Sequence, residues 1–180
     1  SYTRDVGDAA FIARARVVPL RNMGAALSAQ AAWNLLQGLE TLSLRIERIC
    51  ANALAVAKHL ESHPLVTWVH YAGLENHPDN ALAQRYMNGH ASGILSFGIE
   101  GGQAAGERFY DALALILRLV NIGDAKSCSS IPASTTHRQL NEQELKAAGV
   151  TPDMVRLSIG IEHIDDLLAD IDHALAASQG

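Results

Sequence analysis

The chain has 180 residues, of which 48% are apolar and 18% charged, with a formal net charge of -5. That balance excludes a disordered tail and an electrostatic binder of nucleic acid, and the length suits one domain or one domain plus part of another. No apolar run of about 18 residues is present, so no segment reads as membrane-spanning.

The first 20 or so residues read as a helix carrying Phe11, Ile12, Val17 and Val18 and closed by Pro19. A longer helical stretch follows from about Ala25 to Leu60. Leu35, Leu36, Leu39, Leu42, Ile46, Ile49, Ala53, Val56, Ala57 and Leu60 hold the 3, 4 spacing of one helix face. Such a length predicts either one helix joining two domains or two helices abutting near Ser43.

Val66 to Tyr71 predicts a strand, and Gly73, Asn76, Pro78 and Asp79 a loop. A short helix over Ala81–Met87 and a strand over Gly93–Ile99 come next. A helix over Ala104–Arg118 follows the Gly101-Gly102 turn. Leu119–Ile122 and Ser127–Ile131 read as short strands. Asn141 with Glu144 three residues on is the signature of a capping box. Met154–Ile159 predicts another strand. The last helix carries Ile164, Leu167, Leu168, Ile171 and Leu175 on one face, with Asp165, Asp166 and Asp170 off it. The irregular alternation predicts a two-layer α/β domain, with helices on one face of a small, mostly antiparallel or mixed sheet.

Two features stand out chemically. The segment Asn121 to His137 holds Ser127, Ser129, Ser130, Ser134, Thr135, Thr136 and His137. Hydroxyls and backbone amides in such a loop either cradle an anion or satisfy their own backbone. Arg156 sits inside an apolar strand, and alternation sets it and Ser158 opposite Val155, Leu157 and Ile159. Its guanidinium is then solvated, paired inside, or turned into a cleft where its fork suits a carboxylate. Gly101, Gly102 and Gly106 lack the spacing of a dinucleotide loop and read as a turn. His59 and His63 share a helix face without an evident third metal ligand, so no metal is expected. Cys50 reads as a small buried hydrophobe. Cys128 lacks the basic surroundings of a reactive thiol, Lys126 apart. Two distant cysteines make no disulfide framework and suit a reducing, cytoplasmic setting.

Taken in order, Gly38–Arg45, Asn52-Ala53, His70-Tyr71 with Gly73-Leu74, Gly123-Asp124 with Ser127, Pro132–His137 and Val155–Glu162 resemble the C-terminal half of the Cys/Met metabolism enzymes that depend on pyridoxal 5'-phosphate (PLP). Within that family, Asn121–Glu162 is most similar to the O-acetylhomoserine sulfhydrylases. Departures fall at Cys128 and Ile131, where the family usually has Leu and His.

The resemblance implies a type I, aspartate aminotransferase-like PLP fold. Residues 1–25 would end a large PLP domain, 26–60 would form a long connecting helix, and 61–180 would be the C-terminal α/β domain. It implies a homotetramer. It also implies γ-replacement on O-acetyl-L-homoserine by sulfide or a thiol, giving homocysteine or methionine. Cystathionine γ-synthase, methionine γ-lyase and O-succinylhomoserine chemistry are the alternatives within the family, and a non-catalytic interaction domain is the alternative outside it. By the same resemblance Arg156 binds the substrate α-carboxylate and Ser127 helps hold it. Lys58, Lys126 and Lys146 are the only lysines. None lies in the family's Schiff-base context, so neither PLP nor turnover is expected of this segment alone, which reads as beginning within a longer protein.

Overall fold

The computed structural model describes residues 2–135 and 138–180, with the side chain of Glu142 left aside. The chain divides into two compact units, Ser1–Leu42 and Ser43–Gly180.

The first unit is built from helices: α1 (Tyr2–Val6), α2 (Ala10–Ala15), α3 (Arg21–Met23) and α4 (Ala29–Glu40). Pro19 does not close the first run as its sequence suggests. It lies inside a π-type turn at Arg16–Leu20, and a widened turn accommodates a residue that has no N–H to give. The run ends at Gly24, whose left-handed φ of 66° suits a residue without a Cβ. Ser28 caps α4 by accepting from the Ala31 N–H. The predicted long helix is two helices, since Thr41 leaves the helical region (φ -107°, ψ 8°) before α5 (Leu42–Ser62).

The second unit holds β1 (Val66–His70), α6 (Asn80–Met87), β2 (Ile94–Ile99), α7 (Gly102–Ala112), β3 (Leu117–Arg118), β4 (Cys128–Ser130), α8 (Glu142–Ala147), β5 (Met154–Ser158) and α9 (Ile164–Ala177). The five strands run in the order β1-β2-β5-β4-β3. Every neighbouring pair is antiparallel except β3 with β4. One face of the sheet is the core: Leu95, Phe97, Ile99, Val155 and Leu157 lie with Val56 and Leu60 of α5, Phe109 of α7, and Leu167 and Ile171 of α9. Phe97 and Phe109 meet edge to face, centroids 5.6 Å apart.

The helix predicted to reach Arg118 stops at Ala112, and a buried carboxylate beyond it accounts for the stop. Asp170 of α9 accepts the backbone N–H groups of Ala114 (2.8 Å), Leu115 (3.1 Å) and Ile116 (2.9 Å). These three donors therefore leave the helical ladder for a charged acceptor. Among the described residues no helix is long and apolar enough to cross a membrane.

Candidate functional site

The sheet face opposite the core carries the candidate site. Period-two alternation sends Val155 and Leu157 inward and Arg156 outward. The register then sets His70, Ser96, Arg156 and Ser130 in one row across β1, β2, β5 and β4. Arg156 is half-buried, on the central strand of the sheet. Its guanidinium makes no hydrogen bond or ion pair among the described residues, unlike Arg4, Arg108 and Arg118. Of the sequence readings for Arg156, the described residues supply no partner inside the fold, which keeps the solvated fork and the fork turned toward an anion. A cavity of about 610 Å³ is lined by Trp68, His70, Ser96, Thr151 and Met154, of which Ser96 is the cross-strand neighbour of Arg156.

Ser127 is placed differently. It is fully buried, and both its donors are spent on Glu162: its N–H at 2.5 Å and its hydroxyl at 3.0 Å. The same hydroxyl accepts the Gly160 N–H at 2.8 Å. Asn52, buried on α5, donates to the carbonyls of Gly160 (3.1 Å) and Glu162 (2.9 Å). Gly160 fits only without a side chain, because a Cβ there would lie 2.4 Å from the Ala125 carbonyl oxygen. The end of β5 is thus tied to the loop before β4 and to the middle of α5. Ser127 immediately precedes β4, the neighbour of the strand that carries Arg156, yet the structure gives the serine's groups to the protein itself.

The hydroxyl-rich segment divides. Ser134 and Thr135 belong to a turn in which the Thr135 hydroxyl donates to the Ile131 carbonyl at 2.7 Å. Ser129 is 1% exposed, and its hydroxyl has no partner among the described residues. Thr136 and His137 lie outside the described residues. Cys128 is buried and its thiol is pushed up by that burial and by the acids Asp124 and Glu162. Burial pushes the Cys50 thiol up as well. Neither has the low pKa of a nucleophile. His59 pairs with Asp172 of α9 at 2.6 Å, and no group of three or more His, Cys, Asp or Glu could hold a metal among the described residues. Gly101 and Gly102, with φ of 94° and 66°, form the turn that opens α7.

Sequence reasoning missed Glu162 as the partner of Ser127 and Asn52 as the donor to Gly160 and Glu162, although all lie in the motifs that carry the resemblance. An amide in the middle of an otherwise apolar helix face was the available signal. It also missed the row itself, because register across three strand pairs is not written in any one strand.

An α/β domain that offers a fork donor, unpaired among the described residues, from the sheet face opposite its core is the class of protein defined by this fold and site. The chain belongs to the family described as Cys/Met metabolism PLP-dependent enzymes, whose profile matches residues 6–176. It is 48% identical over 174 residues to O-acetyl-L-homoserine sulfhydrylase 1 of Thermus thermophilus, covering 97% of this chain and 41% of the relative. It is 50% identical over 167 residues to O-acetyl-L-homoserine sulfhydrylase of Leptospira meyeri, covering 92% of this chain and 38% of the relative. A crystal structure from Campylobacter jejuni, described as an O-acetylhomoserine (thiol)-lyase with N'-pyridoxyl-lysine-5'-monophosphate, superposes with a TM-score of 0.85 at 45% identity. It covers 92% of this chain and 39% of that one. The chain therefore spans about two fifths of the length of the relatives it matches.

Proposed function

We propose that this chain is the substrate-anchoring, C-terminal part of a longer PLP-dependent enzyme. That enzyme replaces the acetyl group of O-acetyl-L-homoserine with sulfide or a thiol. The observation that carries the reading is Arg156: a half-buried residue whose guanidinium has no partner among the described residues, on the central strand and on the sheet face opposite the core. Its two parallel N–H groups match the two oxygens of an α-carboxylate. Holding that carboxylate fixes the amino acid, and orientation of this kind lowers a barrier by several kcal/mol.

The lysines of this chain do not fit the cofactor. Lys58, Lys126 and Lys146 are all exposed, whereas a Schiff-base lysine works from a desolvated site. When bound, PLP supplies an electron sink for carbanion chemistry. This chain's part is to bind and orient. Arg156 holds the carboxylate, and Ser127 positions the strand that carries Arg156 through Glu162 and Gly160. A cytoplasmic setting is supported by two free, buried cysteines. A homotetramer is supported by the family resemblance.

The test is product analysis with the full-length enzyme. Homocysteine and acetate from O-acetyl-L-homoserine and sulfide, at least about tenfold faster than from the O-succinyl ester, is the expected result. A preference for the succinyl ester, or ammonia and an α-keto acid as the main products, overturns it.

A further inference from the structure

The row on the face opposite the core contains a second group for the same ligand. Ser130 lies directly opposite Arg156 in the β4–β5 register, and Ser96 lies opposite Arg156 on the β2 side. Directly opposed residues on one face have Cβ atoms about 4.5–5.5 Å apart, so each hydroxyl borders the guanidinium stem. Ser130 is 4% exposed, and its hydroxyl makes no hydrogen bond among the described residues. Its neighbour Ser129 alternates to the core face opposite Leu157, where no solute enters. Unlike the Ser129 hydroxyl, that of Ser130 is not sealed from solvent, so a ligand or water can pair with it. Ser130 sits where a ligand on Arg156 would meet it.

We infer that Ser130 is a substrate-binding residue that donates its hydroxyl hydrogen to the carboxylate held by Arg156. This rests on the reading of Arg156 as a carboxylate anchor. A carboxylate has about four lone-pair sites, of which a guanidinium fork takes two. A hydroxyl rotates freely and supplies a third hydrogen bond from the β4 side. The buried Ser130 and the half-buried Ser96 give the two flanks different access. Ser96 lines the cavity and Ser130 flanks Arg156 from the β4 side.

The experiment compares equilibrium binding of L-norleucine with n-pentylamine in the full-length holoenzyme. The two probes share the amine and the butyl chain and differ only in the carboxylate. Ser130→Ala is expected to weaken norleucine about tenfold, the loss of one hydrogen bond to a charged group, and to leave pentylamine unchanged. Ser130→Cys, nearly equal in volume but a weak donor, is expected to show the same selective loss. Equal weakening of both probes means a packing role and overturns the inference, as does no weakening of either. Arg156→Lys separates this claim from the one beneath it. A selective loss in Arg156→Lys without one in the Ser130 variants sinks only Ser130's role. No selective loss in Arg156→Lys sinks the anchor itself and Ser130's role with it.

Discussion

Asn52, buried in the middle of α5, donates its side-chain amide to the carbonyl of Glu162, 110 positions away in sequence, at 2.9 Å. The carboxylate of Glu162 in turn receives the N–H and hydroxyl of Ser127. One polar residue on an apolar helix thus sets where β5 ends and where the loop before β4 lies. Asn52→Leu removes both donors and strands two carbonyls, so it is expected to cost about 2–4 kcal/mol in urea unfolding. An unchanged midpoint would mean that the loop holds its shape without α5.

Gly160→Ala tests the same junction from the backbone side. A Cβ there would lie 2.5 Å from a Glu162 carboxylate oxygen and 2.7 Å from the Lys126 carbonyl carbon. Neither neighbour is the free end of a flexible chain, so one of them must move. A loss of at least about 2 kcal/mol is expected, with the tie between Ser127 and Gly160 broken. Circular dichroism melts and the amide exchange of Gly160 read both effects.

Asp170→Ala is expected to destabilise by about 3 kcal/mol, since it leaves three backbone donors at Ala114–Ile116 without their acceptor. Asp170→Asn keeps one carbonyl oxygen and should recover part of the loss. Equal unfolding midpoints for the two variants would contradict the capping role.

Tyr71 is 2% exposed, and its hydroxyl donates to the Ser92 carbonyl at 2.9 Å. Burial, with a smaller contribution from Cys50, pushes its ionisation above the ordinary value of 10.0. The folded state keeps the proton while the unfolded chain releases it. The tyrosine's contribution is therefore complete below about pH 10 and falls as pH rises toward the raised folded value. Tyr71→Phe should be less stable than the parent at neutral pH by about 1 kcal/mol. It should also lose stability less steeply above pH 10. Parallel stability curves would refute the assignment.

Both thiols should resist a disulfide reagent in the native protein at pH 7 and react in denaturant, because Cys50 and Cys128 are 4% and 2% exposed and raised by burial. Rapid native labelling of either would contradict the packing of α5 or β4.

Much of this architecture is legible in the chain. Alternation alone puts Arg156 on the face away from Val155 and Leu157, and the capping box at Asn141 and Glu144 forms as its spacing predicts. The illegible parts depend on distant partners. The α7 helix ends short of its apolar pattern because Asp170, read as lying off its helix's apolar face, is buried and captures the backbone. Pro19 does not end its helix because a widened turn at Arg16–Leu20 accommodates a residue without an N–H. Ser127 is given to the substrate carboxylate by resemblance alone, and only the fold reveals that its hydroxyl lies on Glu162 and Gly160. Ser130 becomes interesting only when register sets it against Arg156.

The central claim is that Arg156 anchors the substrate carboxylate, and its most direct test is the KM for O-acetyl-L-homoserine of Arg156→Lys in the full-length holoenzyme. The account predicts a rise of about a hundredfold, from the lost bidentate geometry, with the visible absorbance of the cofactor unchanged. A KM within about twofold of the parent would contradict it.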